Sequence, residues 1–118
     1  MILIILRMNV LSEKRMELSQ TITSLSGSIR MEEGCKRYDF CQSIEDENRL
    51  LLIEEWDSQE NLMTHVKSDH YRVLRGAMNL LKEPYEMMFL TVFHPVKMEG
   101  IRQVKLAVLN QEHTMMDI

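Results

Sequence analysis

The sequence predicts an α+β fold in which four antiparallel strands carry two helices on one face, in the order β-α-β-β-α-β. Three observations lead to this prediction. Apolar residues recur at helical spacing in two segments, and strand-like segments flank both of them. A short polar turn at residues 45–48 joins two of the strands, which must therefore be antiparallel. The length of 118 residues suits a single hydrophobic core.

The first strand and the first helix are predicted within residues 2–34. Residues 2–10 are apolar on both faces up to Leu6, as in a strand that is covered on both sides. The apolar run at residues 1–6 is too short for a signal peptide or a membrane span, so we expect a cytoplasmic protein. Ser12 is predicted to cap a helix that ends at Gly34. The buried stripe of this helix is formed by Leu18, Ile22, Leu25 and Ile29.

Residues 35–44 and 49–56 are predicted to be the two strands of a hairpin. In the first, alternation places Tyr38, Phe40 and Ile44 on one side and Cys35, Arg37, Asp39 and Cys41 on the other. In the second, Glu54 and Trp56 project from the same side because the side-chain period of a strand is two. That side also carries Leu50 and Leu52.

The second helix is predicted to consist of two segments. Asp57, with Glu60 three residues later, is an N-terminal capping pattern. Ser68 and Asp69 mark a break and a second cap. The helix carries Leu62 and Val66 before the break, and beyond it a stripe of Val73, Leu74, Ala77, Met78 and Leu81.

A final strand from Tyr85 to Phe93 completes a ferredoxin-like domain over residues 1–94. The C-terminal extension, residues 95–118, is predicted to be a short helix followed by a loose tail, although the alternation of Val104, Leu106 and Val108 also suits a strand. The sheet face opposite the helices is left bare. Its apolar area is too large for a monomer, so we expect a homodimer in which two sheets pack face to face.

Composition excludes several classes of function. The net charge is −4, and the 14 Lys and Arg are scattered among 18 acidic residues, so no basic stripe could follow a nucleic acid. Cys35 and Cys41 lie on one predicted strand, roughly 20 Å apart at about 3.3 Å per residue, and cannot form a disulfide with each other. The histidines lack the spacing of a recognisable zinc site. We therefore expect no metal.

Residues 51–71, LLIEEWDSQENLMTHVKSDHY, resemble the signature of antibiotic biosynthesis monooxygenase domains. The matching positions are Glu54 and Trp56 at the strand end, His65 in the helix, and Ser68, His70 and Tyr71 at the break. The resemblance implies a dimeric α/β barrel with a small-molecule pocket between the sheet and the helices. Members of this family include quinol and anthrone oxygenases without metal or flavin, haem-degrading enzymes and isomerases.

The resemblance also bears on cofactors. The haem-degrading members bind iron through a histidine late in the second helix, and the corresponding residues here, 73–82, contain no histidine. We therefore expect no haem and no other cofactor.

His65 and Glu54 are the predicted catalytic residues. His65 borders the apolar stripe of its helix, where a buried neutral imidazole can act as a general base; it can equally be a packing residue bonded to a backbone carbonyl. A carboxyl group among apolar neighbours has a raised proton affinity, which suits acid–base chemistry at Glu54. That side chain could instead reach solvent or pair with an arginine.

Four more residues are predicted to bind substrate: Arg7, Asn9, Trp56 and His70. Arg7 and Asn9 are polar residues at the far end of a central strand, where they could hold an oxyanion or lie beyond the sheet edge in water. Trp56 could shield a substrate or anchor the core, and His70 could be a cap. Of the eleven methionines, Met78, Met87 and Met88 lie on predicted buried elements, where they fit irregular apolar ligands or fill the core.

Two functions remain open at this stage. The first is a cofactor-independent monooxygenase of a quinol-like or polycyclic phenol small molecule. The second is a non-redox isomerase or a small-metabolite-binding protein with the same pocket.

Overall fold

The computed structural model describes residues 1–92, and within them it confirms the predicted α+β ferredoxin-like order with the second helix in two segments. Phe93, His94 and the predicted helix in residues 95–118 lie outside the described residues. The elements are β1 (Ile2–Asn9), α1 (Ser12–Arg30), β2 (Cys35–Gln42), β3 (Arg49–Trp56), α2 (Gln59–Val66), α3 (Asp69–Ala77) and β4 (Glu86–Thr91), with a 3-10 turn at Met78–Leu80 between α3 and β4.

The four strands form one antiparallel sheet in the order β2-β3-β1-β4. β1 is central, as predicted, and pairs with both β3 and β4. Ile4 lies opposite Glu54 on one side and Phe89 on the other. Because paired residues project from the same face, this register decides which predicted site residues can meet.

One face of the sheet packs against the helices and forms the core. Every second residue of β1 and β3 is buried there, and α1 contributes one stripe at helical spacing. The largest fully buried side chains include Trp56, Tyr38, Met8, Leu18, Ile22 and Ile29. The predicted stripe of α1 is thus confirmed, with Leu25 partly buried against this core.

The other face carries no helix among residues 1–92, and we call it the open sheet face. The register places Leu3, Ile5, Leu51, Ile53, Met88 and Leu90 on it. Met88 and Leu90 are 39% and 42% exposed. Met87 projects from the helix side of β4, yet it is 58% exposed because β4 is an edge strand that the helices do not reach. The prediction that Met87 and Met88 are buried is therefore wrong.

The N-caps of α1 and α2 each lie one residue away from the position predicted for them. The N-cap of α1 is Leu11, which makes no side-chain cap bond, while Ser12 Oγ accepts from Asn48. The N-cap of α2 is Ser58 rather than Asp57, and its hydroxyl accepts from the backbone N–H of Asn61. The break at Ser68 is confirmed, since its hydroxyl caps α3 by accepting from Tyr71 N–H.

The first hairpin strand ends earlier than predicted and contains a bulge. Ile44 lies in the turn beyond β2 and is fully exposed. A register shift between Cys35 and Arg37 moves Cys35 to the face that carries Tyr38, where it packs against the core. The predicted placement of Cys35 with Arg37 and Asp39 is therefore wrong. Both cysteines are free thiols.

No helix within residues 1–92 combines the length and the apolar character that crossing a membrane requires.

Candidate functional site

His65 lies in the last turn of α2 with its ring against the helix side of the sheet, and only 1% of the residue is exposed. Its imidazole stacks on Trp56 with ring centroids 4.5 Å apart and an interplanar angle of 28°. Tyr71 and Tyr38 meet the same ring edge-on, at 5.5 Å and 6.3 Å. Aromatic groups therefore hold the imidazole plane from several directions.

The two nitrogens of His65 have different environments. Nδ1 lies 2.9 Å from Oε1 of Glu32. A carboxylate can only accept hydrogen bonds, so this contact favours a proton on Nδ1 and a lone pair on Nε2. Nε2 is buried and has no hydrogen-bond partner among residues 1–92; its nearest carboxyl oxygen is Oε1 of Glu54, 3.7 Å away. That distance is too long for a hydrogen bond, so Nε2 remains available to accept one.

Glu54 projects from β3 into the same buried region and is 4% exposed. Burial raises the pKa of its carboxyl group, an effect that the Trp56 hydrogen bond and the nearby His65 oppose and the charge of Glu32 reinforces. Trp56 donates from Nε1 to Oε1 at 3.0 Å. Oε2 makes no hydrogen bond within the described part of the chain. A carboxyl group with a raised pKa and an imidazole nitrogen that has no hydrogen-bond partner among residues 1–92 thus lie side by side.

Glu32 is a site residue that the sequence analysis missed. It lies in the turn between α1 and β2 and contacts two histidines at once, through Oε1 to His65 and through Oε2 to Nδ1 of His70 at 3.0 Å. Turn glutamates have no periodicity that would distinguish them, and the partners are 33 and 38 residues away. The sequence therefore offered no signal for it.

The helix break at Ser68 is what allows both histidines to reach Glu32. In a continuous helix, five residues correspond to about 140° of rotation, so His65 and His70 would point away from each other. In the structure α2 ends at Val66 and α3 begins at Asp69. His70 lies near the surface, with 39% of its side chain exposed.

A cavity of about 210 Å³ adjoins His65 and Glu54 between the sheet and helices α2 and α3; we call it the helix-side cavity. Its wall is mainly apolar, with Tyr71, Tyr85 and Arg75 as the other residues that carry polar groups. The apolar wall includes Ile4, Leu6, Leu62, Leu74, Met78, Met87 and Phe89. Trp56 does not line the cavity but lies fully buried under the ring of His65.

Arg7 and Asn9 project from the opposite face of the sheet. Both are exposed and line a broader groove of about 660 Å³ near the ends of the strands. Asn9 donates from Nδ2 to Oε1 of Glu83 at 2.6 Å. Within one protomer the sheet separates these two residues from His65, Glu54, Trp56 and His70, which the structure brings together.

No cluster of three or more His, Cys, Asp or Glu side chains within residues 1–92 has an arrangement that could hold a metal ion. The chemistry that the described groups can perform is acid–base chemistry on a small apolar ligand.

Comparisons with known proteins find similarity over most of the chain. The sequence model of the antibiotic biosynthesis monooxygenase family matches residues 1–76. A solved structure from Mycobacterium tuberculosis is 26% identical, with a TM-score of 0.75 over 81% of this chain and 98% of its own. A conserved protein from Methanosarcina mazei is 27% identical, with a TM-score of 0.74 over 78% and 92% of the two chains.

A curated protein of Haloquadratum walsbyi, named for heme binding, is 28% identical over 82 residues. These residues are 69% of this chain, and the match spans only 15% of that relative's length.

Proposed function

The chain belongs to the antibiotic biosynthesis monooxygenase family, and from this membership we propose that it oxidises a quinol-like or polycyclic phenol small molecule with dioxygen, without a bound cofactor. The observation that carries the proposal is the unpartnered Nε2 of the buried His65, next to Glu54 at an apolar cavity. A general base with no competing partner among residues 1–92, at the edge of a mainly apolar pocket, is what removal of a substrate proton requires.

In this proposal His65 accepts the proton from the substrate at Nε2. Glu54 acts in its protonated form, which its raised pKa favours, and donates a hydrogen bond from its carboxyl group to the substrate oxygen. The apolar wall excludes water, so the anion that forms is not reprotonated from solvent. Trp56 stabilises both groups, because its ring stacks on His65 and its Nε1 donates a hydrogen bond to Glu54.

The oxygen chemistry then needs no further reductant. The substrate anion forms a C–O bond with dioxygen at a ring carbon that carries hydrogen, and the proton returns to give a hydroperoxide. Loss of water from the hydroperoxide leaves a carbonyl group. One oxygen atom stays in the product, the other leaves as water, and the substrate supplies all of the electrons.

The helix-side cavity is small, which favours a small ligand and so keeps the second candidate function open. At about 210 Å³ it lies below the roughly 300–1,000 Å³ of pockets for drug-sized ligands. A single-ring quinol fits this volume better than a polycyclic phenol. A small metabolite undergoing a proton shift would use the same two groups without oxygen, which keeps the isomerase alternative.

The described residues do not fit a haem group, which the name of the Haloquadratum walsbyi relative raises as a possibility. Among residues 1–92, His65 is the one histidine that adjoins the cavity, and its ring is enclosed by three aromatic side chains. His70 in α3 is bound to Glu32 instead. A porphyrin is larger than the ligands that a cavity of about 210 Å³ accommodates.

We further propose that a second copy of the chain covers the open sheet face. Its row of apolar side chains is the kind of surface that a stable monomer does not expose, and a two-fold axis would pair the face with itself. Ile53→Asp, at the centre of this face, should give a monomer by sedimentation at micromolar concentration. The matched change Ile44→Asp, on the exposed hairpin turn, should leave the dimer intact. A wild-type monomer would contradict this proposal.

Oxygen uptake with a panel of quinols and anthrones tests the activity. We expect uptake matched by a carbonyl product, and a fall in kcat of about 10²–10⁴-fold in His65→Gln, the range that a general base contributes. Thr64→Ala, on the exposed side of the same helix, is the control and should retain full activity. Turnover that persists without oxygen would favour the isomerase. Oxygen uptake equal in wild type and His65→Gln would refute the proposal.

A further inference from the structure

The carboxylate of Glu32 makes two contacts that are not part of the reaction proposed above. Its carboxylate bridges Nδ1 of His65 and Nδ1 of His70, with one oxygen on each ring. The two distances, 2.9 Å and 3.0 Å, are those of ordinary N–H···O hydrogen bonds. Each oxygen is therefore assigned to one imidazole, and the carboxylate has little freedom to rotate.

This bridge controls which nitrogen of His65 carries the proton. Without an acceptor at Nδ1, a neutral imidazole can place its proton on Nε2, and a protonated Nε2 cannot accept from a substrate. With Glu32 in place, Nδ1 keeps the proton, and the lone pair is on the nitrogen next to Glu54. The negative charge of Glu32 also stabilises the imidazolium ion that forms when Nε2 takes up a proton.

We propose that Glu32 is a positioning residue for the base His65, and that His70 holds Glu32 in its bridging orientation from the protein surface. The proposal rests on the function proposed above for its kinetic consequences, but its central claim concerns the tautomer of His65 and does not need turnover. Glu32 does not line the helix-side cavity, so it acts on the substrate through other groups: mainly through its hydrogen bond to His65, and also through its charge, which helps to raise the pKa of Glu54.

Long-range ¹⁵N–¹H correlation NMR on the full chain tests the tautomer directly, because a protonated and an unprotonated ring nitrogen have well-separated ¹⁵N shifts. The chain has four histidines, and the signal lost in His65→Gln assigns the relevant ring. We expect wild-type His65 in the Nδ1–H form. In Glu32→Ala we expect signal from the Nε2–H form. Glu33→Ala, one residue further along the same turn and exposed, should leave the spectrum of His65 unchanged.

Two further variants separate orientation from charge. Glu32→Gln keeps an oxygen that can accept from Nδ1 but has no negative charge, so the tautomer should be retained while kcat falls. In His70→Asn the amide nitrogen can replace Nδ1 as the donor to Glu32, so the Nδ1–H form of His65 should persist there and weaken in His70→Ala. With an active substrate, Glu32→Ala should lower kcat by about 10–100-fold, the usual cost of losing an orienting partner, with little change in KM.

The outcomes distinguish the two proposals. An Nε2–H tautomer in wild-type His65, or an Nδ1–H tautomer that survives unchanged in a folded Glu32→Ala variant, would overturn the role of Glu32 whatever the activity. A wild-type protein that shows the expected tautomer but oxidises no quinol would refute the proposed reaction and leave the positioning role standing. If Glu32→Ala does not fold, the comparison of His70→Asn with His70→Ala decides the question, and equal tautomers in those two variants would overturn the proposal.

Discussion

Replacing Gly34 with alanine should destabilise the fold by about 1–4 kcal/mol, because two costs add at this position. The backbone of Gly34 has φ of +82°, in the left-handed region that costs residues with a Cβ about 1–2 kcal/mol. The added Cβ would also overlap Oδ1 of Asp57 and come within 2.6 Å of Cβ of Asn61. Relief of such an overlap typically costs a further 1–3 kcal/mol, roughly, and the lower entropy of the unfolded alanine chain returns only part of the total.

The assay is urea unfolding followed by the fluorescence of Trp56, which is the sole tryptophan and is fully buried. Protein concentration is held constant so that any association affects all variants equally. Gly27→Ala is the matched control: nothing lies within 4 Å of its added Cβ, and it is exposed on α1. Alanine should stabilise the helix there by about 1 kcal/mol.

The two glycine substitutions should shift the urea midpoint in opposite directions: Gly34→Ala should lower it and Gly27→Ala should raise it. Equal urea midpoints for Gly34→Ala and wild type, with Gly27→Ala raised as expected, would mean that the turn does not require a left-handed residue. The geometry of Glu32, two residues earlier in the same turn, would then lose its structural basis.

Three other expectations follow from the same structure. Burial raises the pKa of Glu54, so its contribution to folding is fully present below the ordinary glutamate range, near pH 4, and is lost as pH rises towards the raised value. Glu54→Gln should therefore gain on wild type in urea midpoint as the pH is raised above about 4.5, and parallel curves would contradict this. Tyr38→Phe removes a buried hydroxyl that has no partner within residues 1–92, so its stability should equal or exceed that of wild type, and a loss above about 1 kcal/mol would reveal a missed hydrogen bond. Ser68→Ala should cost about 1 kcal/mol by thermal unfolding because it removes the cap of α3, whereas Ser24→Ala on the exposed face of α1 should be close to neutral.

The sheet and the helix stripes could be predicted from the sequence because they depend on local periodicity. The bounds of β3, residues 49–56, and the break at Ser68 are correct for this reason. The cap of α2 is displaced by one residue because Asp57 and Ser58 are both good capping residues, and the sequence does not show which of them has extended backbone. The α1 helix begins after Leu11, which makes no side-chain cap bond, so a search for capping residues could not find its start. The bulge beside Cys35 leaves no mark in the residue pattern, so its side chain was placed on the wrong face.

The candidate site was only half predictable for a related reason. His65, Glu54 and Trp56 are near each other in sequence and on consecutive elements, so their meeting follows from the fold order. Arg7 and Asn9 were grouped with them on chemical type, but the period-two alternation of β1 places them on the opposite face from the helices. Glu32 reaches the site only through a tertiary contact across 33 residues, which no pattern within a single segment can show.

The break between α2 and α3 also restricts how this chain can change length. Each residue inserted or removed between Lys67 and Ser68 would change the orientation and the position of α3 relative to α2, because the extended backbone of Ser68 sets the angle between the two helices. His70 would then leave the side of Glu32, although no residue of the site had been altered. Loops usually tolerate insertions well, but these two residues between α2 and α3 fix the orientation of the His65 ring relative to the His70 ring. Its length is therefore as much a part of the site as any of its side chains.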